Sequence, residues 1–116
     1  MVHRAIRPIS WINGARKDFD DFPQGAKDTL LVALSAVAEG GMPDIAKPLK
    51  GLGSGILELA LRHRGEAFSV IYAMHVGADV WVIHAFQKKS KSGIKTAQPE
   101  IDLIRERLKR LKEMLK

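Results

Sequence analysis

Three consecutive runs of strand-forming residues, separated by very short turns, constrain the fold of this chain more than any other feature. The runs cover residues 56–63 (ILELALRH), 66–76 (EAFSVIYAMHV) and 79–87 (DVWVIHAFQ), and the dipeptides Arg64-Gly65 and Gly77-Ala78 separate them. Two-residue connections are typical of antiparallel hairpins, because parallel strands need a crossover of a dozen or more residues. The sequence therefore predicts an antiparallel meander.

The side chains of the first two runs alternate between two faces of the predicted sheet. One face collects large apolar side chains: Leu57, Leu59, Leu61, Phe68, Val70, Tyr72 and Met74. The opposite face collects a mixture of small, polar, charged and apolar side chains: Glu58, Ala60, Arg62, Ser69, Ile71, Ala73 and His75. We expect the first face to form the core and the second to be a mixed, partly open surface.

Helical periodicity flanks the meander on both sides. Apolar residues recur at helical spacing over 14–22 and 24–39, which predicts two helices that form a hairpin broken near Pro23. A last helix is predicted to begin near Pro99, a favourable first-turn residue, with a leucine and isoleucine stripe along one side.

Two further segments are less regular. Residues 3–9 (HRAIRPI) are short and closed by Pro8, which is typical of a first strand near a sheet edge. Residues 40–55 hold many Gly and Pro residues, so we expect a flexible basic loop without a regular element, carrying Lys47 and Lys50. The predicted order is β-α-α-β-β-β-α, an α+β fold with an antiparallel sheet, and the length of 116 residues suits one domain spanning 1–116.

Composition excludes several function classes. The chain has no cysteine, so thiolate nucleophiles and cysteine zinc sites are absent, and the four histidines are too scattered for a metal site. The segment GLGSG (51–55) matches neither a P-loop nor a nucleophile elbow. Without a signal-peptide or membrane-spanning run, we expect a cytoplasmic protein that uses no metal and no cofactor.

The positive charge is concentrated at the C-terminal end of the sequence. The net charge is +6, and residues 1–87 hold nine Lys and Arg against nine Asp and Glu, whereas 88–116 hold ten against four. Such asymmetry favours a polyanionic or acidic partner. A solvated helix face would show the same pattern.

A set of basic residues is predicted to gather at the ends of the hairpins: Lys47, Lys50, Arg62, Arg64, Lys88, Lys89, Lys91 and Lys95. RNA cleavage without a metal needs a base for the 2′-hydroxyl, cations for the phosphate and an acid for the 5′-oxygen. His84 is a candidate for proton transfer, although a histidine on a strand of Val and Trp residues is also typical of a buried structural side chain. Trp11 and Trp81 are interpreted as packing residues rather than base-stacking platforms.

Residues 47–113 resemble the RelE/ParE toxin superfamily, in particular its phage-derived HigB-like branch. The most specific part is HAFQKKSKSGIKT (84–96), followed by PEIDLIRERL. The resemblance implies a toxin of a type II toxin–antitoxin pair that cleaves mRNA on the translating ribosome, together with a co-expressed antitoxin, expected to be a helix-turn-helix protein. Two alternatives remain open: a ParE-like inhibitor of DNA gyrase, and a weakened relative that mainly binds its antitoxin.

The resemblance also assigns roles by position. Lys88 resembles the basic residue that follows the last strand in family nucleases, Arg62 a strand arginine facing the cleft, and Lys47 and Lys50 RNA-contacting loop lysines. The resulting hypothesis gives phosphate stabilisation to Arg62, Arg64 and Lys88, and proton transfer to His84 or a lysine. RNA binding is assigned to lysines: Lys47, Lys50, Lys89, Lys91 and Lys95.

The sequence departs from the family pattern at several positions. Relatives usually carry arginine at the position of Ser69 and often a C-terminal tyrosine, whereas the sole tyrosine here is Tyr72. RelE-like enzymes also tend to have lysines at the positions of Glu58 and Ala60. We therefore expect a slow enzyme, and we expect Ser69→Arg to raise cleavage, since its side chain should lie in an open cleft.

Overall fold

The computed structural model describes residues 6–88 and 96–116. It confirms the α+β class. The elements in chain order are β1 (Ile9–Trp11), α1 (Asn13–Asp20), α2 (Gln24–Ala38), β2 (Ala46–Pro48), β3 (Ile56–His63), β4 (Glu66–Ala73), β5 (Val80–Lys88) and α3 (Gln98–Met114).

The predicted meander is present as β3, β4 and β5, which pair antiparallel in one five-stranded sheet of order β1-β5-β4-β3-β2. The β3–β4 turn places both Arg64 (φ 52°) and Gly65 (φ 81°) in the left-handed region, as a two-residue hairpin turn requires. The register aligns Leu59 with Val70 and Ala60 with Ser69, so the predicted alternation of faces holds across this hairpin.

Two predictions about the sheet were wrong. The first strand begins at Ile9, the last residue of the predicted range 3–9, and pairs parallel with β5. Residues 1–5 lie outside the described part. The segment predicted to lack regular structure contains β2, which pairs antiparallel with β3 and aligns Lys47 with Glu58. Both elements are three residues long, and they form through pairing with distant strands rather than through a local pattern.

The expectation of one open sheet face also needs correction, because both faces carry a buried apolar cluster. The first cluster lies between the sheet and the predicted helical hairpin, and includes Phe19, Leu30, Leu59 and Tyr72. The second lies beneath α3, whose residues Ile104, Leu108 and Leu111 are buried; it also includes Ile71, Ile83 and Phe86. The mixed face is therefore open only towards one end of the strands.

A β-bulge fixes how β5 meets α3. Ile71 aligns with His84 but Tyr72 aligns with Val82, so Ile83 is an extra residue in β5. As a result Ile83 packs in the cluster beneath α3 and the neighbouring His84 contacts Arg107 of α3. In the described part of the chain, no helix is both long and apolar enough to cross a membrane.

Candidate active-site cleft

The uncovered end of the α3-side sheet face forms a small cleft that collects several of the predicted residues. The register aligns Arg62 with Ala67, and Ala67 with Lys88, while Ser69 aligns with Ala60. Three cations therefore surround one cavity: Arg62 from β3, Lys88 from β5 and Lys47 from β2. The cleft encloses about 150 Å³ and is lined by Lys47, Ala60, Leu61, Arg62, Ala67, Phe68, Ser69 and Lys88.

A buried carboxylate lies at the base of this cleft. Lys88 Nζ is 2.9 Å from Glu58 Oε2, and the Ser69 hydroxyl donates a hydrogen bond of 2.6 Å to the same oxygen. The side chains of Lys88 and Glu58 are only 7% and 2% exposed. Because an unpaired buried charge is costly, each of these ions depends on the other.

Lys47 and Arg62, in contrast, present their charges to solvent. Both residues are exposed, and neither makes an ion pair with a side chain in the described ranges 6–88 and 96–116. Three cations against the one carboxylate of Glu58 leave the cleft with a net positive charge. It can therefore attract a phosphodiester, while the Lys88–Glu58–Ser69 group offers proton donors and an acceptor beside it.

His84 does not reach the cleft. It is 2% exposed, its ring stacks on Phe86 with centroids 5.0 Å apart, and Nδ1 is 3.1 Å from Arg107 Nη1. Burial lowers its pKa, although Glu100 Oε1, 3.3 Å from Nε2, acts in the opposite direction. Since Arg107 can only donate, Nδ1 is the acceptor and the neutral ring carries its proton on Nε2. Lys88 is four positions further along β5, about 13 Å away.

The remaining predicted residues lie around or beyond the cleft. Arg64 occupies the β3–β4 turn and Lys50 follows β2; both are exposed and neither lines the cavity. Lys89, Lys91 and Lys95 lie outside the described residues. Tyr72 is buried in the core on the opposite sheet face, where burial raises its pKa to about 12, so it cannot replace a cleft tyrosine.

Two residues that the sequence interpretation treated only as departures prove to be part of the site geometry. Glu58 lies between Leu57 and Leu59 in a strand, and its facing partners Lys47, Ser69 and Lys88 come from three other strands. The sequence did contain a signal for this site: Glu58 is a charged residue in the interior of an apolar strand, and such a group is buried only with a partner. Ser69 is 1% exposed, so the expected open surroundings of that position were wrong.

Comparison with known proteins identifies the family. Residues 17–109 match the family model described as "Phage derived protein Gp49-like (DUF891)", and the chain belongs to this family. The fold is similar to that of a chain in the crystal structure of the toxin–antitoxin complex RelBE2 from Mycobacterium tuberculosis. The TM-score is 0.53 at 13% identity, over 76% of this chain and 98% of that chain. No curated protein sequence matches the chain.

Proposed function

We propose that this Gp49-like protein is the toxin of a type II toxin–antitoxin system and a metal-independent endoribonuclease that cleaves mRNA on the ribosome. The observation that carries the proposal is the cleft itself: exposed Arg62 and Lys47 beside a buried Lys88–Glu58 pair that shares its carboxylate oxygen with Ser69. The similarity to the fold of a chain in a toxin–antitoxin complex supports the toxin–antitoxin part of the proposal.

In the proposed reaction, Arg62 and Lys47 hold the scissile phosphate. The 2′-hydroxyl passes its proton to the Ser69 oxygen while the Ser69 proton moves along its 2.6 Å hydrogen bond to Glu58. The 2′-oxygen attacks phosphorus, the bond to the 5′-oxygen breaks, and Lys88 protonates the leaving oxygen. The products are a 2′,3′-cyclic phosphate and a 5′-hydroxyl, and Glu58 returns the proton to Lys88 across their 2.9 Å contact.

This assignment keeps part of the sequence-based hypothesis and changes the proton carriers. Arg62 retains its role and Lys47 becomes a direct phosphate ligand. Lys88 changes from phosphate stabilisation to protonation of the leaving oxygen, and Glu58 with Ser69 takes the place proposed for His84. Arg64 and Lys50 are proposed to contact RNA outside the cleft, together with the lysines that lie beyond the described residues: Lys89, Lys91 and Lys95.

The proposed partners are translating ribosomes with their mRNA, and an acidic helix-turn-helix antitoxin encoded next to this protein, as in the HigB-like branch. When it is co-expressed, the product of the adjacent reading frame should relieve growth arrest and co-purify with the protein. If the product of the adjacent reading frame neither binds this protein nor relieves the growth arrest, the toxin–antitoxin assignment is contradicted.

Two measurements test the activity. The first is induction of the protein followed by mapping of mRNA ends, and the second is cleavage on ribosomes by purified protein that has been stripped of metal with EDTA and dialysed. We expect new 2′,3′-cyclic phosphate ends that prior EDTA treatment of the protein does not prevent, and a loss of about 10²-fold in rate or more for Arg62→Ala. The control is Arg105→Ala, an exposed arginine of α3 whose contact is Asp102 rather than the cleft.

Two outcomes would replace the proposal. Intact mRNA with gyrase-dependent DNA damage would favour the ParE-like alternative. Intact mRNA, intact DNA and tight antitoxin binding would favour a relative without activity, a reading consistent with the neutralisation of Lys88 by Glu58.

A further inference from the structure

A second basic cavity lies away from the cleft, where β1, the first turn of α1 and the C-terminal half of α3 meet. We refer to it as the tryptophan pocket; its principal lining residues are Trp11, Trp81, Arg107, Arg110, Leu111 and Met114. It encloses about 350 Å³, within the size range of small-molecule sites. Trp81 and Lys88 lie at opposite ends of β5, seven residues or about 23 Å apart, so the two cavities are separate.

The pocket exposes parts of two large aromatic rings. Trp11 and Trp81 are both half-buried, and both line the pocket. Trp11 is already held in place by Phe19, at 4.9 Å between centroids, and by the Arg16 guanidinium, at 5.1 Å from its ring. Fixed aromatic rings at the rim of a cavity provide a platform on which a planar ring can stack.

The polar part of the pocket is cationic and partly fixed. Arg107 Nη1 donates to the Ile83 carbonyl at 3.1 Å, which orients the guanidinium. Its Nη2 occupies the space that a Cβ at position 14 would take, so a larger residue in place of Gly14 would displace the guanidinium. Arg110 is 75% exposed and pairs with Glu106 on its own helix, a weak ion pair that an incoming phosphate can displace.

The charge of the pocket selects the class of ligand. Its described lining residues include two arginines and no carboxylate. The groove on the other side of α3, next to His84, is lined instead by four carboxylates: Asp18, Asp21, Glu66 and Glu100. An anionic ring compound is therefore attracted to the tryptophan pocket and repelled from this acidic groove.

We propose that the tryptophan pocket binds a nucleotide, with the base stacked on Trp11 or Trp81 and the phosphate held by Arg107 and Arg110. The nucleotide can be a free mononucleotide or one unit of an RNA strand, since both supply a base and a phosphate. This binding goes beyond the proposed cleavage activity and does not require it, because the pocket shares no lining residue with the cleft.

Tryptophan fluorescence tests this proposal directly, because the chain has only two tryptophans and both line the pocket. Adenosine and guanosine 5′-monophosphates should quench the emission saturably, and the matching nucleosides should bind about tenfold more weakly, since a hydrogen-bonded charge contributes at least this much. Absence of saturable quenching, or equal affinity for nucleoside and nucleotide, would overturn the proposal.

Matched variants locate the site. Arg110→Ala should weaken mononucleotide binding about tenfold, whereas Arg105→Ala, on the same helix but paired with Asp102 outside the pocket, should leave it unchanged. Both arginines are exposed, so both variants should fold, as circular dichroism would verify. Equal losses in the two variants would mean diffuse attraction to a basic protein and would overturn the proposal.

A final comparison identifies the source of the nucleotide and separates this proposal from the cleavage activity. An oligoribonucleotide that binds more tightly than the mononucleotide and is displaced by it would indicate an RNA strand; equal affinity would indicate a free nucleotide. Arg62→Ala should retain mononucleotide quenching even if cleavage is lost or was never present. Loss of quenching in Arg62→Ala would place the nucleotide in the cleft and contradict the pocket.

Discussion

At the scale of single residues, the Glu58–Lys88 pair couples stability to the candidate chemistry. Glu58→Gln keeps the shape of the side chain but removes the carboxylate charge that faces the buried Lys88 ammonium. We expect a loss of about 3–5 kcal/mol in the free energy of unfolding, measured by urea denaturation. The control is the double variant Glu58→Leu with Lys88→Met, which removes both charges and should recover most of this loss. Unchanged stability in Glu58→Gln would contradict a buried ion pair.

Ser69 is the second residue whose surroundings decide an expected outcome. An arginine at this position would enter a site that is 1% exposed and compete with Lys88 for the Glu58 carboxylate. Contrary to the sequence-based expectation, we expect Ser69→Arg to lower cleavage on ribosomes by about 10²-fold, because the hydroxyl that relays the 2′-proton to Glu58 is lost, and to cost about 1–3 kcal/mol through overpacking. The control is Ser35→Arg on the exposed side of α2. A stable Ser69→Arg that cleaves as fast as the wild type would argue against this cleft as the reaction site.

At the scale of elements, α3 is held to β5 by apolar contacts. Leu108 is 4% exposed and packs in the cluster beneath the helix, whereas Leu103, on the same helix, is 37% exposed. Leu108→Ala should therefore cost about 2–5 kcal/mol in the free energy of unfolding, and Leu103→Ala much less. Thermal or urea unfolding of the two variants checks the assignment, and similar losses would mean that α3 packs in another orientation.

The same helix is attached to β5 by His84, which makes the attachment sensitive to pH. Burial holds the pKa of His84 below its usual value of 6.5, so the unfolded chain binds a proton at a pH where the folded chain does not. Stability from this group is present above pH 6.5 and is lost as the pH falls through the lowered value. Urea unfolding between pH 7.5 and 5 should show declining stability, with a smaller decline in His84→Gln. The same decline in the wild type and in His84→Gln would contradict a contribution of His84 to the pH dependence of stability.

At the scale of the whole molecule, an uneven charge distribution accompanies the net charge of +6. Cations line the cleft and the tryptophan pocket, whereas carboxylates line the groove beside His84. Binding of single-stranded RNA should weaken with salt, with a slope of log affinity against log salt of about −0.7 for each phosphate neutralised. Filter binding with wild type and Lys47→Ala should show slopes that differ by about that amount. A slope that does not respond to Lys47→Ala would place the RNA elsewhere.

The sequence by itself determined the elements whose signals are local. The helical hairpin broken near Pro23, the meander with its Arg64-Gly65 turn and the last helix near Pro99 all occur as predicted, within a few residues. Their apolar periods and turn residues act over a few neighbouring positions, so they can be recognised without knowledge of the rest of the chain. The concentration of basic charge was equally visible, although not the surface on which it lies.

The tertiary structure alone decided the features that join distant parts of the chain. The parallel pairing links β1 to β5, about 70 residues away, and the antiparallel ladder links β2 to β3, about 10 residues away. β1 and β2 are too short to carry a sequence pattern of their own. The bulge at Ile83 turned His84 towards Arg107, and folding brought Lys88 to Glu58. A buried charge takes its role from the partner that folding supplies, and no local period in the sequence identifies that partner.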